Sequence, residues 1–250
     1  MLSQPVSEVL LGFDPLALER CYLVADILRD EFAEPLAEYG LIGLADQARP
    51  FHVLATPLLV GQSVTSASVE QPGRQVLRMR DEMEMLARRM RRRLVPIAFI
   101  HRHPSCCDAS DTDDAFLRGV FVDQVSTVVS FDEVRRVDEE GRPCSCPGVE
   151  CLLRDSSAGG GGPVELRSEY SIAFSLIVNG ERDHRLYAVR KETCPLCGCS
   201  AVSDVPARIE PDPRSPVSDR DRAAMRAPLA LEIEAKIRFD RDLDEAGGMR

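Results

Sequence analysis

The chain has 250 residues, of which 44% are apolar and 29% charged, an ordinary globular composition that excludes a fibrous or wholly disordered protein. Its formal net charge of −10 argues against a general affinity for nucleic acid. No run approaches the roughly 18 apolar residues of a membrane helix, and the N-terminus lacks the basic start of a signal peptide, so we expect a cytoplasmic protein that binds no membrane. Lys191 and Lys236 are the only lysines among 31 basic residues, a bias typical of GC-rich bacterial coding sequences.

The first 137 residues alternate predicted strands with predicted helices. Asp14-Pro15 is a typical helix start, and the spacing of apolar residues predicts helices at 15–33, 74–93 and 113–121. Apolar runs predict strands at 6–12, 39–45, 51–60, 63–69, 95–100 and 125–131. We therefore expect an α+β fold, an α/β sandwich in which helices flank a mixed β-sheet.

The remainder of the chain is predicted to be rich in strands. Residues 170–190 carry two apolar stretches around Asn-Gly-Glu, which predicts a β-hairpin. Residues 201–216 are proline-rich and expected to be extended. Alternating apolar residues at 229–239 favour a terminal strand, with a helix left open as the alternative. We divide the chain into a catalytic domain at 1–137, a Cys-rich hairpin module at 138–200 and an extended tail at 201–250.

The residues that indicate chemistry follow the predicted strand 95–100. His101 and His103 are two positions apart, so both imidazoles of a strand would point to the same side. An acidic residue some ten positions later, at the start of a predicted helix, can supply a third ligand. Two histidines and one carboxylate, with a position left for water, make the ligand set of a catalytic zinc ion. The sequence therefore predicts a zinc site at the two histidines and one of the acidic residues that follow them.

This order of residues, HxHP from His101 and then SxxD from Ser110, resembles the signature of the JAMM (JAB/MPN) metalloprotease family. The similarity extends over roughly residues 5–135 and includes Glu38, which precedes a glycine-containing apolar strand as in the family's upstream element. The resemblance implies a JAB/MPN-like mixed sheet flanked by helices, one catalytic zinc ion, and hydrolysis of a peptide or isopeptide bond.

The resemblance also implies a role for each of the matching residues. His101, His103 and Asp113 would bind the zinc ion. Glu38 would be the general base that activates water and later protonates the leaving amine. Ser110 would donate a hydrogen bond to the developing oxyanion.

The spacing departs from the family pattern in one place. Five residues separate Pro104 from Ser110, one fewer than the family's usual distance. Keeping that distance from His103 would make Asp114 the ligand and put Asp111 in the position of the serine. We prefer Asp113, because a carboxylate in the oxyanion site would oppose the negative charge that develops there.

Simpler interpretations remain for each element of the motif. The two histidines could be ordinary core or surface residues, and Glu38 could be a solvated charge. Ser110 could serve only as a helix N-cap, or serve both purposes. A non-catalytic MPN-like scaffold or interaction protein, which needs no metal at the histidines, is the main alternative function. Another zinc hydrolase such as a deaminase is a weaker one, because paired cysteines near a His-x-Glu motif are missing.

Two cysteine clusters indicate a second, structural zinc ion. Cys194-Pro-Leu-Cys197-Gly has the spacing of a zinc knuckle, and an odd cysteine count without a secretion signal argues against a disulfide framework. We choose Cys144 and Cys146 as the other two ligands, although Cys151 and Cys199 could substitute and the cysteines could also be free.

These features predict a zinc-dependent isopeptidase or peptidase of the deubiquitinase type. As the resemblance implies, its substrate would be a ubiquitin-like protein, either conjugated to a target or carrying a processing tail. Activating and conjugating enzymes of the same pathway are the expected partners, and nucleic acid is not.

Overall fold

The computed structural model describes residues 8–31, 39–59, 63–64, 69–70, 73–103, 106–137, 164–179, 181–193, 200–210 and 217–247. Several residues of the sequence predictions lie outside these ranges: Glu38, Pro104, and the clustered cysteines Cys144, Cys146, Cys151, Cys194, Cys197 and Cys199. The predicted base and the predicted structural zinc site therefore stay predictions.

The described residues form eleven strands and five α-helices. The strands are β1 (Val9–Phe13), β2 (Gly40–Asp46), β3 (Arg49–Ala55), β4 (Ser63–Val64), β5 (Val69–Glu70), β6 (Leu94–Arg102), β7 (Phe131–Val137), β8 (Val164–Val178), β9 (His184–Thr193), β10 (Ser200–Asp204) and β11 (Ala207–Ile209). The helices are α1 (Pro15–Asp30), α2 (Gly73–Met90), α3 (Asp111–Phe116), α4 (Val122–Ser126) and α5 (Asp219–Gly247), with a π-helical turn at Leu117–Phe121 between α3 and α4.

One mixed sheet organises the fold. Its strands follow the order β10-β9-β8-β6-β2-β3-β1-β11, and β7 pairs with β8 beside this path. The sheet curls into a half-barrel, and four helical segments accompany it. The stretch formed by α3, the π-helical turn and α4 counts as one of these segments, because the three follow one another without a break. The expectation of an α+β fold with a mixed sheet is confirmed. The predicted hairpin is also present as β8 and β9, and it lies inside the main sheet because β8 pairs in parallel with β6.

A single extended segment links the two ends of this sheet. The N–H of Val205 donates to the carbonyl of Ala188 in β9 (3.0 Å), and the carbonyl of the next residue, Pro206, accepts from the N–H of Val9 (2.8 Å). Strands β10 and β11, which precede and follow this two-residue link, pair with β9 and β1 respectively. The extended conformation expected here is confirmed for residues 201–204 and 207–209.

The prediction of a terminal strand at 229–239 is wrong, because these residues lie in α5. Leu229 and Ile233 are buried and four positions apart, whereas Leu231 between them is 67% exposed. The burial pattern therefore has the period of a helix, and the alternation in the sequence arose from an apolar residue on the solvent face. Pro228 lies within the helix.

Polar contacts hold α5 against α1 and the neighbouring chain. The Arg20 guanidinium in α1 contacts the Glu232 carboxylate at 2.6 Å, and the Lys236 ammonium donates to the carbonyl of Leu58 at 2.6 Å. These contacts flank the apolar pair Leu229 and Ile233. In the part of the chain that the structure covers, no helix has both the length and the apolar character to cross a membrane.

The predicted strand at 125–131 is also wrong in its position. Helix α4 extends to Ser126, and the strand begins only at Phe131. Phe121, Val122 and Val125 are all buried, a spacing of one and three that continues one helix face. Local valine content suggested a strand, but the burial of this face against the sheet favours the helix.

Candidate metal centre

Strand β6 places the two histidines of the motif in the interior. It lies between β2, its antiparallel neighbour, and β8, its parallel neighbour. His101 is 1% exposed and His103 is 7% exposed. The N–H of His103 donates to the carbonyl of Val178 at 2.9 Å, so the pairing with β8 continues past the last residue of β6. Both imidazoles therefore lie on one face of a well-buried strand end.

Aromatic packing brings α3 onto this face. Phe99, two residues before His101, stacks on its imidazole with ring centroids 5.1 Å apart. Phe116 in α3 packs in turn against Phe99, and the centroids of these two rings are 4.9 Å apart. Asp113 precedes Phe116 by three positions and so shares its helix face. The contact between the two phenylalanines thus directs the Asp113 carboxylate toward the histidines.

The three side chains converge to distances that suit a metal ion. The Nε2 atoms of His101 and His103 are 3.0 Å apart. Asp113 Oδ1 lies 3.1 Å from Nε2 of His101, and Oδ2 lies 3.3 Å from Nε2 of His103. Four-coordinate zinc with ordinary bond lengths separates its ligand atoms by about 3.3 Å. The buried His-His-Asp group could therefore hold a metal ion.

The polar contacts of the site lie on the Nε2 side of His101, where the Asp113 carboxylate suits a cation. Nδ1 of His101 is buried and has no hydrogen-bond partner among the described residues, so this imidazole makes its polar contacts through Nε2. Burial raises the pKa of Asp113, but hydrogen bonds from His101 and His103 outweigh that effect and hold the pKa well below its usual range. Asp113 consequently presents a carboxylate, the form that binds metals.

Ser110 orients the Asp113 carboxylate. It is the N-cap of α3: its hydroxyl donates to Asp113 Oδ2 (2.7 Å), its N–H donates to the same oxygen (2.8 Å), and the Asp113 N–H faces its Oγ at 3.3 Å. This reciprocal arrangement is a capping box with aspartate in place of glutamate. The helix cap and the orientation of a metal ligand are thus one structure. The oxyanion role expected for Ser110 stays a prediction.

A second SxxD sequence in the chain shows what the motif does without histidines. Ser218 and Asp221 repeat the cap at the start of α5: the serine hydroxyl donates to Asp221 Oδ2 at 2.6 Å, and the Asp221 N–H donates back at 3.1 Å. Ser218–Asp221 is thus a plain helix start. The SxxD element gains a metal-binding character only where it meets His101 and His103.

Asp114, the alternative ligand, points away from the histidines. Its two carboxylate oxygens accept hydrogen bonds from the Nε–H of Arg118, at 2.7 and 2.8 Å. The structure therefore brings Asp113 to the histidines and turns Asp114 toward solvent, in agreement with the choice made on chemical grounds.

A clamp from β9 fixes the loop that leads to Ser110, and the sequence patterns missed it. The Tyr187 hydroxyl accepts a hydrogen bond from the N–H of Ala109 (3.0 Å) and donates to the carbonyl of Cys107 (3.2 Å). Arg185, two residues earlier on the same strand face, pairs with Asp108. Three consecutive loop residues are thus held by one strand. The alternation of Arg185 and Tyr187 in a predicted strand was the available signal, but it did not identify their partners.

Strand β2 runs beside the metal centre. Its first residue, Gly40, is paired with His101, and the carbonyl of Tyr39 accepts from the N–H of Arg102 at 2.9 Å. The described chain that resumes directly after Glu38 thus lies next to the histidines, although Glu38 itself is outside the described residues. No family model matches the chain, and no curated protein shows significant similarity to it.

Proposed function

We propose that the protein is a zinc-dependent hydrolase of the JAMM type that cleaves an isopeptide or peptide bond. One observation carries the proposal: the three residues that the HxHP and SxxD motifs nominate, His101, His103 and Asp113, converge in a buried group that could hold a metal ion. Two motifs that occurred by chance would not be expected to meet in space, because His103 and Asp113 belong to different elements.

The donor set fits the proposed zinc ion. Two imidazoles and one carboxylate leave a fourth position open, as in catalytic zinc sites. A zinc ion held there would supply Lewis acidity, which polarises a substrate carbonyl and makes water more acidic. The chain's own contribution is the rigid placement of the ligands: β6 fixes the histidines, and the cap of α3 fixes Asp113.

Proton transfer and oxyanion stabilisation are proposed from the resemblance alone. Glu38 would accept a proton from the attacking water and pass a proton to the nitrogen of the leaving amine. Ser110 would donate to the oxyanion. In the structure its hydroxyl donates to Asp113, so the oxyanion role would require the hydroxyl to exchange partners as the reaction proceeds.

The proposed substrate is a ubiquitin-like protein attached to a target or carrying a processing tail. Activating and conjugating enzymes of that pathway are the proposed partners, and the cytoplasm is the proposed location. The clustered cysteines, Cys144, Cys146, Cys194 and Cys197, are proposed to bind a separate structural zinc ion.

The proposal is tested by measuring metal content and cleavage on the same samples. Wild-type protein should contain zinc and release the tail of a ubiquitin-like fusion. Replacing His101 with Ala should remove the catalytic zinc, because three protein ligands leave none to spare. Glu38→Gln should keep the zinc and lower the cleavage rate by about 10²-fold or more.

Two controls sharpen this test. Glu34→Gln, four residues before the proposed base, should leave cleavage nearly unchanged. Zinc bound by the cysteines would persist in His101→Ala, so the expected loss is one ion per chain. A wild-type protein that binds no metal at the histidines and cleaves no fusion would instead establish the non-catalytic scaffold.

A further inference from the structure

Helix α2 ends in a cluster of arginines that takes no part in the metal centre. Five of the six residues at 88–93 are arginines with exposed side chains, and they form the arginine patch: Arg88, Arg89, Arg91, Arg92 and Arg93. The other face of the helix packs against the core through Leu86, Ala87 and Met90, which are partly buried. The patch therefore lies on the solvent side of a helix end that the core holds in place.

Carboxylates neutralise only part of the arginine patch. Arg92 contacts Asp46 at 2.6 Å, and Arg88, with 83% of its side chain exposed, contacts Glu84 at 3.3 Å. The other three arginines form no ion pair with any residue in the described part of the chain. Without the five arginines the formal charge of the chain would be −15, five units below its actual −10. The patch is thus a concentration of positive charge on an otherwise acidic protein.

The backbone of Arg91 has a conformation that favours glycine. Its φ of 53° lies in the left-handed region. The N–H of Arg91 donates to the carbonyl of Arg88 at 3.2 Å, and the N–H of Arg92 donates to the carbonyl of Ala87 at 3.0 Å, which is the pattern of a Schellman helix end. Glycine is the usual residue at that position, and a side chain there costs free energy. An exposed arginine at this cost points to a use for its side chain outside the fold.

The arginine patch is fixed in place and lies far from the metal centre. The N–H of Gln47 donates to the carbonyl of Arg93 at 2.8 Å, and the Gln47 side-chain amide donates to the carbonyl of Val128 at 3.3 Å. Arg93 directly precedes β6, whereas His101 is near the other end of that strand, about 26 Å away at roughly 3.3 Å per residue. A ligand on the patch would therefore leave the metal centre open.

We propose that the arginine patch binds a short acidic segment of a partner protein. Guanidinium groups bind carboxylates through paired hydrogen bonds, so consecutive Glu or Asp side chains match the arginines that have no ion pair. Met85 is 64% exposed and precedes Arg88 by three positions on the same helix face, so it offers an apolar contact beside the charges. Nucleic acid and anionic bilayers fit less well, because both extend past the patch over an acidic surface that repels them. The inference is independent of the proposed function.

Fluorescence anisotropy with a labelled peptide tests this binding site on the full chain. The probe is a short run of Glu around one Leu, and its analogue has Gln in place of Glu. The acidic peptide should bind at low salt, with an affinity that falls as salt is added, and the Gln peptide should not bind. Arg89→Ala, Arg91→Ala and Arg93→Ala combined should weaken binding by about tenfold, the sum expected for three exposed ion pairs.

Arg91→Gly separates the binding role of this arginine from its effect on stability. Glycine suits the left-handed conformation, so the variant should not lower the melting temperature. It should nevertheless weaken binding of the acidic peptide by about two- to fivefold, the range for one exposed ion pair. Arg220→Ala is the matched control, because it removes one exposed arginine of α5 and should leave peptide binding unchanged.

Each outcome supports or overturns the inference. Absence of acidic-peptide binding at low salt, or equal binding by wild type and both patch variants, overturns it. Tighter binding of phosphatidylserine vesicles or of an oligouridylate than of the peptide overturns it as well, and so does self-association of the chain that the patch variants abolish. His101→Ala should bind the peptide as wild type does, so loss of the metal or of cleavage does not alter the result.

Discussion

Replacing Ser110 with Ala separates the two roles that this residue could have. In the structure, Ser110 contacts a predicted metal ligand: its hydroxyl donates to Asp113 Oδ2 at 2.7 Å. The resemblance instead implies that the Ser110 hydroxyl donates a hydrogen bond to the developing oxyanion. The first role predicts a change in metal affinity, whereas the second predicts a change in rate with zinc saturating.

The expected size of the effect follows from the contacts. The alanine variant loses one charge-assisted hydrogen bond to the ligand but keeps the Ser110 backbone N–H, 2.8 Å from the same oxygen. Loss of such a partner behind a metal ligand typically lowers metal affinity by about 10- to 100-fold, or about 1.4–2.7 kcal/mol. The lost helix cap removes about 1 kcal/mol of stability, which lowers the melting temperature by about 2–4 °C in a chain of this size.

Competition with a chromophoric chelator measures the zinc affinity, and Ser218→Ala provides the control. Ser218 makes the same cap with Asp221, at 2.6 and 3.1 Å. Its loss should lower the melting temperature to a similar extent and leave zinc affinity unchanged.

Unchanged zinc affinity in Ser110→Ala, with the melting temperature lowered as in Ser218→Ala, would refute the view that this cap orients a metal ligand. A rate at saturating zinc that falls by about 10²-fold would add the oxyanion role. An unchanged rate would leave Ser110 as a positioning residue only.

Three further predictions address the ligand set, the cysteines and the domain division. Asp113→Asn should lose one zinc ion per chain and Asp114→Asn should lose none, as measured by elemental analysis, because only the former faces the histidines. Burial raises the pKa of Cys21 to about 12, so at pH 8 it has almost no thiolate; mass spectrometry after alkylation should find it unlabelled in the native protein while exposed Cys106 reacts. A fragment of residues 1–137 should show neither a cooperative unfolding transition nor zinc binding, because it lacks β8, the parallel neighbour of the strand that carries His101.

Those parts of the metal centre that depend on short-range periodicity could be predicted from the sequence. The HxH spacing places two imidazoles on one side of any strand, and SxxD forms a helix start at Ser110–Asp113 and again at Ser218–Asp221. The docking of α3 through Phe99 and Phe116, and the clamp from Tyr187, join residues far apart in the chain. No local pattern specifies such contacts.

The error at the C-terminal end has the same origin. Apolar residues at 229, 231 and 233 fit a strand of period two, while Leu229 and Ile233 alone also fit a helix. The choice depends on whether Leu231 meets a partner, and it is exposed. Helix α1, with Arg20 opposite Glu232, supplies the surface that decides in favour of the helix.

The link at Val205–Pro206 has a consequence for synthesis on the ribosome. Strand β1 emerges long before one of its two neighbours, β11, whose Ala207 pairs with Val9 roughly 200 residues later. At about 5–20 residues per second, that edge of β1 waits about 10 to 40 s for its partner. The two ends of the sheet are therefore joined only after β11 has emerged, and until then the nascent chain carries an unpaired strand edge.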